Sequence, residues 1–135
     1  MQRSVFNDIV EGKVPCHKIW EDEQYLAFLD IYPRTKGHAL VLPKTQYRWT
    51  YEVPDFGGYW EAARTVLRGI EAALKPVWFS FFTYGAVPYA HIHILPRYEE
   101  IDDSEQNVLP PAEPADPEEL AKIAAEIRTA FQNGI

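Results

Sequence analysis

The chain has 135 residues and a mass of 15.6 kDa, the size of one compact domain with no room for a second of ordinary size. Its 47% hydrophobic and 14% aromatic content supplies enough apolar surface to offset the entropy of ordering the backbone, which excludes wholesale disorder. The net charge of −7 is local: nine of the 20 acidic residues lie between Tyr98 and Ala121, where no Lys or Arg occurs, and the remainder holds 11 acids against 13 bases. Without a run of Lys or Arg, a nucleic-acid polymer is a poor partner. No stretch reaches the roughly 20 apolar residues of a membrane span, and the N-terminus lacks the apolar core of a signal peptide. The expectation is a cytoplasmic protein that does not engage a membrane. The one cysteine, Cys16, has no partner for a disulfide or a thiolate metal cluster.

In chain order, Ser4 can cap a short helix from about Val5 to Glu11, which Gly12 ends. Lys18 to Glu21 and Tyr25 to Asp30 are apolar runs on either side of a charged turn, which predicts an antiparallel hairpin. After a loop at Pro33 to Gly37, His38 to Pro43 reads as a third strand stopped by proline. From Asp55 to Lys75 the period changes, with Tyr59, Ala63, Val66, Leu67, Ile70 and Leu74 at helical spacing. Val77 to Phe82 is a fourth strand, Tyr84 to Pro88 a turn, and Tyr89 to Leu95 a fifth strand.

The predicted organisation is a body over residues 1–97, an acidic, proline-rich linker over 98–116, and a helix over 117–132 that belongs to the same single domain. Asp116 as cap, Pro117 at the first helical position and the stripe Leu120, Ile123, Ile127 and Phe131 define that helix. Its apolar face must pack on this body or on a second copy.

His91-Ile92-His93 carries the chemistry. In a strand, Tyr89, His91 and His93 share one face while Ala90, Ile92 and Ile94 share the other. An arbitrary pair of this kind is most often two solvated histidines, and a metal site would need a third ligand such as His38, His17 or an acid. A neutral imidazole, with a pKa near 6.5, can also act as a nucleophile when an acceptor fixes its tautomer, while a second imidazole steadies the group under attack. His38 could join the pair if strands three and five are neighbours.

The segments FNDIVEGKVP, WEDEQYLAFLDIYPRTKGHALVLPK and VPYAHIHILPR, in that order, resemble the histidine triad (HIT) nucleotide hydrolases and transferases. The resemblance implies an α+β fold: a five-stranded antiparallel sheet, one long helix packed across it, a short N-terminal helix, and usually a two-fold homodimer, here with an additional C-terminal amphipathic helix. It also implies attack on the α-phosphorus of a small nucleotide, a dinucleoside polyphosphate or a nucleoside phosphoramidate, through a covalent nucleotidyl-histidine.

Carried over by position, His91 is the nucleophile, His93 contacts phosphate, and His38 supports the tautomer of the nucleophile. Asp30 binds the ribose hydroxyls, and Val5, Phe6, Ile9, Phe28, Leu29 and Ile31 wall the base. No cofactor is expected. The departures are specific. Tyr89 stands where the first histidine of the triad belongs and can offer only a hydroxyl. Ser4, Asn7, Gln46 and Tyr89 occupy the positions that hold a structural zinc in some members, so no metal is expected. The loop before the histidines is short, leaving Thr83, Tyr84 and backbone amides to hold phosphate. The alternative reading is a nucleotide-binding or regulatory module with weak or no catalysis.

Overall fold

The computed structural model describes residues 1–100 and 108–135; positions 101–107 of the expected linker lie outside the described residues. The elements are α1 (Val5–Val10), β1 (Lys18–Glu21), β2 (Tyr25–Leu29), β3 (Ala39–Pro43), a single 3-10 turn (Thr50–Glu52), α2 (Phe56–Leu74), β4 (Trp78–Phe82), β5 (Ile92–Arg97) and α3 (Pro117–Gln132). The strands form one antiparallel sheet in the order β1-β2-β3-β5-β4, so the α+β class and the five-stranded sheet stand. Among the described residues no helix is long and apolar enough to cross a membrane.

The helix ends follow their capping chemistry. Ser4 Oγ accepts from Phe6 N at 3.2 Å while Asn7 Oδ1 accepts from Ser4 N at 2.8 Å, which closes a capping box on α1. Asp55 caps α2 through Gly58 N at 3.0 Å, and α2 stops where Lys75 takes a left-handed φ of 51°. Asp116 and Pro117 start α3 as their sequence signature requires.

Period-two alternation sorts the sheet into two unlike faces. Ala27, Leu29, Ala39, Val41, Ile92 and Ile94 meet Val66 and Ile70 of α2 and Leu120, Ile123 and Ile127 of α3 in one continuous core. The stripe of α3 is thus covered by this body; a Cβ at Gly69 of α2 would stand 2.3 Å from the tip of the Phe131 ring, which lies against the bare glycine backbone. On the other face Leu26, Phe28, Leu40, Leu42 and Tyr89 pack under Phe6 of α1.

Two differences from the sequence reading bear on the site. Ladder pairing of the fifth strand begins at Ile92, opposite Val41, and not at Tyr89, because the Ala90 amide donates to Tyr47 O at 2.7 Å instead. The chain before α3 is laid along the loop after β2: Ala115 N donates to Ile31 O and Glu113 N to Pro33 O, each at 3.3 Å, and Arg34 Nη1 donates to Pro110 O at 2.9 Å.

Candidate active site

Because β3 and β5 are neighbours, His38, just before β3, reaches His93 on β5. The two ring nitrogens His38 Nε2 and His93 Nδ1 stand 2.8 Å apart. His91 lies two residues earlier on the same face, its ring centroid 4.8 Å from that of His93. All three imidazoles are buried, at 1%, 2% and 4% exposure for His38, His91 and His93. Burial holds each in its neutral form. It pushes His38 down to about 3 and His93 to about 2, helped by neighbouring positive or protonatable groups including Arg34, and it lowers His91 below the ordinary imidazole value.

In neutral rings the hydrogen bonds fix the tautomers. The Arg34 amide donates to His38 Nδ1 at 3.0 Å, so the His38 proton sits on Nε2 and is donated to His93 Nδ1. His93 then carries its proton on Nε2, which is buried and has no partner among the described residues. His91 Nδ1 lies 2.7 Å from Tyr89 O; an N–H donated to that carbonyl leaves Nε2 with its lone pair. One imidazole therefore presents a lone pair and the next an N–H donor.

Two of the expected residues make other contacts than the resemblance implied. His38 positions the donor His93 and does not touch the tautomer of His91, which the backbone carbonyl of Tyr89 sets. The Tyr89 phenol is 1% exposed and donates to Pro43 O at 2.6 Å; burial raises its pKa to about 12. Its hydroxyl is committed to β3 and cannot serve substrate. Thr83 Oγ1 is likewise committed, donating to His91 O at 2.7 Å. Lys44, just after β3, pairs with Glu21 at 2.9 Å, and the guanidinium of Arg97, at the end of β5, sits 4.6 Å over the Trp78 ring.

The expected base walls divide. Phe6 packs against Phe28 at 6.0 Å and against His91 at 5.0 Å between ring centroids, and Ile9 joins the same cluster, beside a recess of about 380 Å³ that Cys16 and Leu26 also line. Leu29 points to the opposite face, into the core under α2, because it alternates with Phe28. Ile31 is 55% exposed, and Val5 is also exposed. Asp30 is half-buried, with Oδ1 accepting from Tyr32 N at 2.9 Å and Oδ2 standing 3.7 Å from His38 Nε2; desolvation raises its carboxyl pKa.

Arg34 escaped the sequence reading, and Tyr84, expected to help hold phosphate, takes its place through its ring. Arg34 acts through its backbone amide, four residues before His38, within the turn that Asp30-Ile31-Tyr32-Pro33 begins. Tyr84 roofs the imidazoles: its ring stacks on His93 at 5.2 Å and 11° and stands edge-on to His91 at 5.8 Å, with Phe82 stacked on His93 at 4.4 Å. The short loop thus lays an aromatic ring against both imidazoles. No hydrogen bond among the described residues ties the Tyr84 hydroxyl, and ring contacts of this kind hold by about 0.5–1.5 kcal/mol each, well within what nucleotide binding can displace.

Asp30, His38 and His93 place ligand atoms within 4.8 Å of one another, yet they do not suit a cation. With His38 Nδ1 accepting from a backbone amide, Nε2 carries the proton and has no lone pair to offer. The zinc positions of some relatives do not fit either. Asn7 Nδ2 donates to Gln46 Oε1 at 2.8 Å, and Gln46 Nε2 donates to Gln2 O and Pro88 O at 2.8 and 2.7 Å. With Ser4 and Tyr89 also internally bonded, the set contains no thiol and no imidazole and has its polar groups paired.

The HIT domain model matches residues 11–100, which hold the sheet and all three imidazoles. The chain belongs to the HIT family. It is 34% identical over 134 residues to the protein hit of Bacillus subtilis, covering 93% of this chain and 92% of that one. It is 33% identical over 137 residues to the adenosine 5'-monophosphoramidase hnt1 of Schizosaccharomyces pombe, covering 95% and 98%. The crystal structure of a hypothetical histidine triad nucleotide-binding protein from Sulfolobus tokodaii superposes with a TM-score of 0.83 at 25% identity, covering 96% of this chain and 93% of that one.

Proposed function

We propose that this protein is a nucleotidyl hydrolase or transferase acting at the α-phosphate of a small nucleotide, through a covalent nucleotidyl intermediate on His91. The observation that carries the reading is the opposed pair of tautomers: a lone pair on His91 Nε2 beside an unpaired, buried N–H on His93 Nε2. His91 Nε2 forms a bond to phosphorus as the bond to the leaving oxygen or nitrogen breaks. The His93 N–H stabilises the charge on the phosphoryl oxygens. Water or another acceptor then attacks phosphorus and frees the imidazole. Asp30 accepts from the ribose hydroxyls, and Phe6, Ile9 and Phe28 flank the base. The phosphoramidase activity named for the S. pombe relative supports a nucleoside phosphoramidate as substrate.

Acid-free quenching after mixing with adenosine 5'-phosphoramidate, followed by mass spectrometry, is expected to show one adenylyl group on His91. His91→Ala is expected to remove it and to lower turnover by at least ~10³-fold, the scale seen when a covalent nucleophile is deleted. AMP binding without an adduct, and turnover indifferent to His91→Ala, would support the binding-module reading, which the Tyr84 ring against the imidazoles and the committed Thr83 favour.

A homodimer is the expected assembly. β4 is an outer strand, and Phe81 within it and Val77 beside it are 51% and 65% exposed, an edge suited to pairing with a second copy. Light scattering that returns only a 15.6 kDa species contradicts it.

A further inference from the structure

Across the Tyr84 ring from the imidazoles lies a recess of about 240 Å³, lined by Arg48, Trp49, Tyr51, Thr83, Tyr84 and Gly85 among others. A cavity of about 150 Å³ accommodates benzene, so this one has room for a ring that bears an ionic substituent. Its floor is aromatic. Trp49 and Tyr51 stack at 6.0 Å and 14°, and the Gly85 backbone lies so close to the indole that an added Cβ would stand 1.7 Å from it. The Arg48 guanidinium sits 4.3 Å over the Trp49 ring, while its Nη1 is buried with no acceptor among the described residues. The guanidinium is a permanent cation, and the recess it lines can hold a ligand carboxylate or phosphate against its charge. Tyr84 lines this recess and also contacts His91 and His93, so one ring borders both the recess and the imidazoles.

We infer that this recess is a second subsite, which takes the group displaced from the α-phosphate and selects an aromatic ring carrying a negative charge. The inference rests on the reading of His91 as nucleophile. Arg48 accepts the charge, the Trp49 and Tyr51 rings take the planar body, and Tyr84 is the partition between leaving group and imidazole. In an adenosine 5'-N-aryl phosphoramidate, His91 Nε2 bonds to phosphorus, the P–N bond breaks, and the arylamine departs with a proton from water. A second water then releases AMP.

The test compares the 4-carboxyanilide and the unsubstituted anilide of AMP in the wild type and in Arg48→Gln. In the wild type kcat/KM is expected to favour the carboxylated substrate. In Arg48→Gln the ratio of the two values is expected to fall by about tenfold or more, the loss expected of one charge-assisted hydrogen bond; Arg48→Lys should recover part of it. A ratio that does not move, or both values falling together, overturns the subsite and leaves Arg48 a structural brace for Trp49. The dissociation constants of the same two compounds are measured with His91→Ala and with His91→Ala/Arg48→Gln. These report on the subsite where chemistry is absent, and so separate its failure from failure of the nucleophile.

Discussion

The two faces of the sheet perform different work with the same backbone. Under α2 and α3 the contacts are largely aliphatic, Ala27, Val41, Ile92, Ile94, Val66 and Ile70 among them, and the buried Tyr59 hydroxyl donates to Val41 O at 2.7 Å. Burial there is non-directional, so shape and volume decide its worth. Opposite, Phe6, Phe28, Tyr89 and the three imidazoles make ring contacts, and the imidazoles and the Tyr89 hydroxyl also make hydrogen bonds in which donor and acceptor cannot be exchanged. One face stabilises the fold, and the other holds polar groups in a fixed sense at the expense of their hydration.

The largest effect should come from emptying the aliphatic face. Ile70 is fully buried, and Ile70→Ala is expected to cost about 2–5 kcal/mol, read from the chemical denaturation midpoint. Adenylyl transfer to His91 per folded molecule should not change. If the adduct yield drops in step with stability, the two faces are one cooperative unit and the division above is wrong.

How much of this could be read from sequence follows the same division. Alternation alone placed Ile92 and Ile94 against His91 and His93, and the helical spacing of Val66, Leu67 and Ile70 found α2. The same alternation sets Leu29 beside Ala27, yet the resemblance had drawn it into the base pocket. What sequence could not show was directional. The tautomer of His91 depends on a carbonyl whose side chain looked like the important group, and that side chain finds its partner at Pro43, a contact across 46 positions. The service His38 gives to His93 depends on an Arg34 amide aimed by a turn. Tyr84 was named only as a hydroxyl for phosphate, because a tyrosine in a short loop has no period to betray where its ring lies.

The directional face should show itself in pH. His38 and His93 titrate near 3 and 2 when folded and near 6.5 when unfolded. Between those values the unfolded chain binds protons that the folded chain refuses, so stability is intact above about pH 6.5 and falls as pH drops toward the folded values. Asp30, raised by burial, works in the opposite direction and only partly offsets the loss. About 4 kcal/mol, roughly 2 for each histidine, should be lost between pH 7 and pH 5, read from urea midpoints. The slope should flatten in a His38→Phe/His93→Phe protein; an equal slope in that variant would assign the effect to other groups.

The smallest effect tests what ties the directional face to the rest of the chain. Asn7 on α1 donates to Gln46 after β3, and Gln46 donates to Pro88 just before the histidine strand, so two side chains link three segments that a shared metal would otherwise join. Asn7→Ala removes one neutral hydrogen bond and opens the capping box with Ser4, for an expected loss of about 1 kcal/mol. Because α1 carries Phe6, whose ring stands 5.0 Å from that of His91, the substitution should also move the ring-current shift of the His91 imidazole in NMR spectra. Added zinc should restore neither. A stability loss with an unmoved His91 resonance would mean that Asn7 only caps its helix, and that the placement of Phe6 over the nucleophile comes from packing against Phe28 and Tyr89 alone.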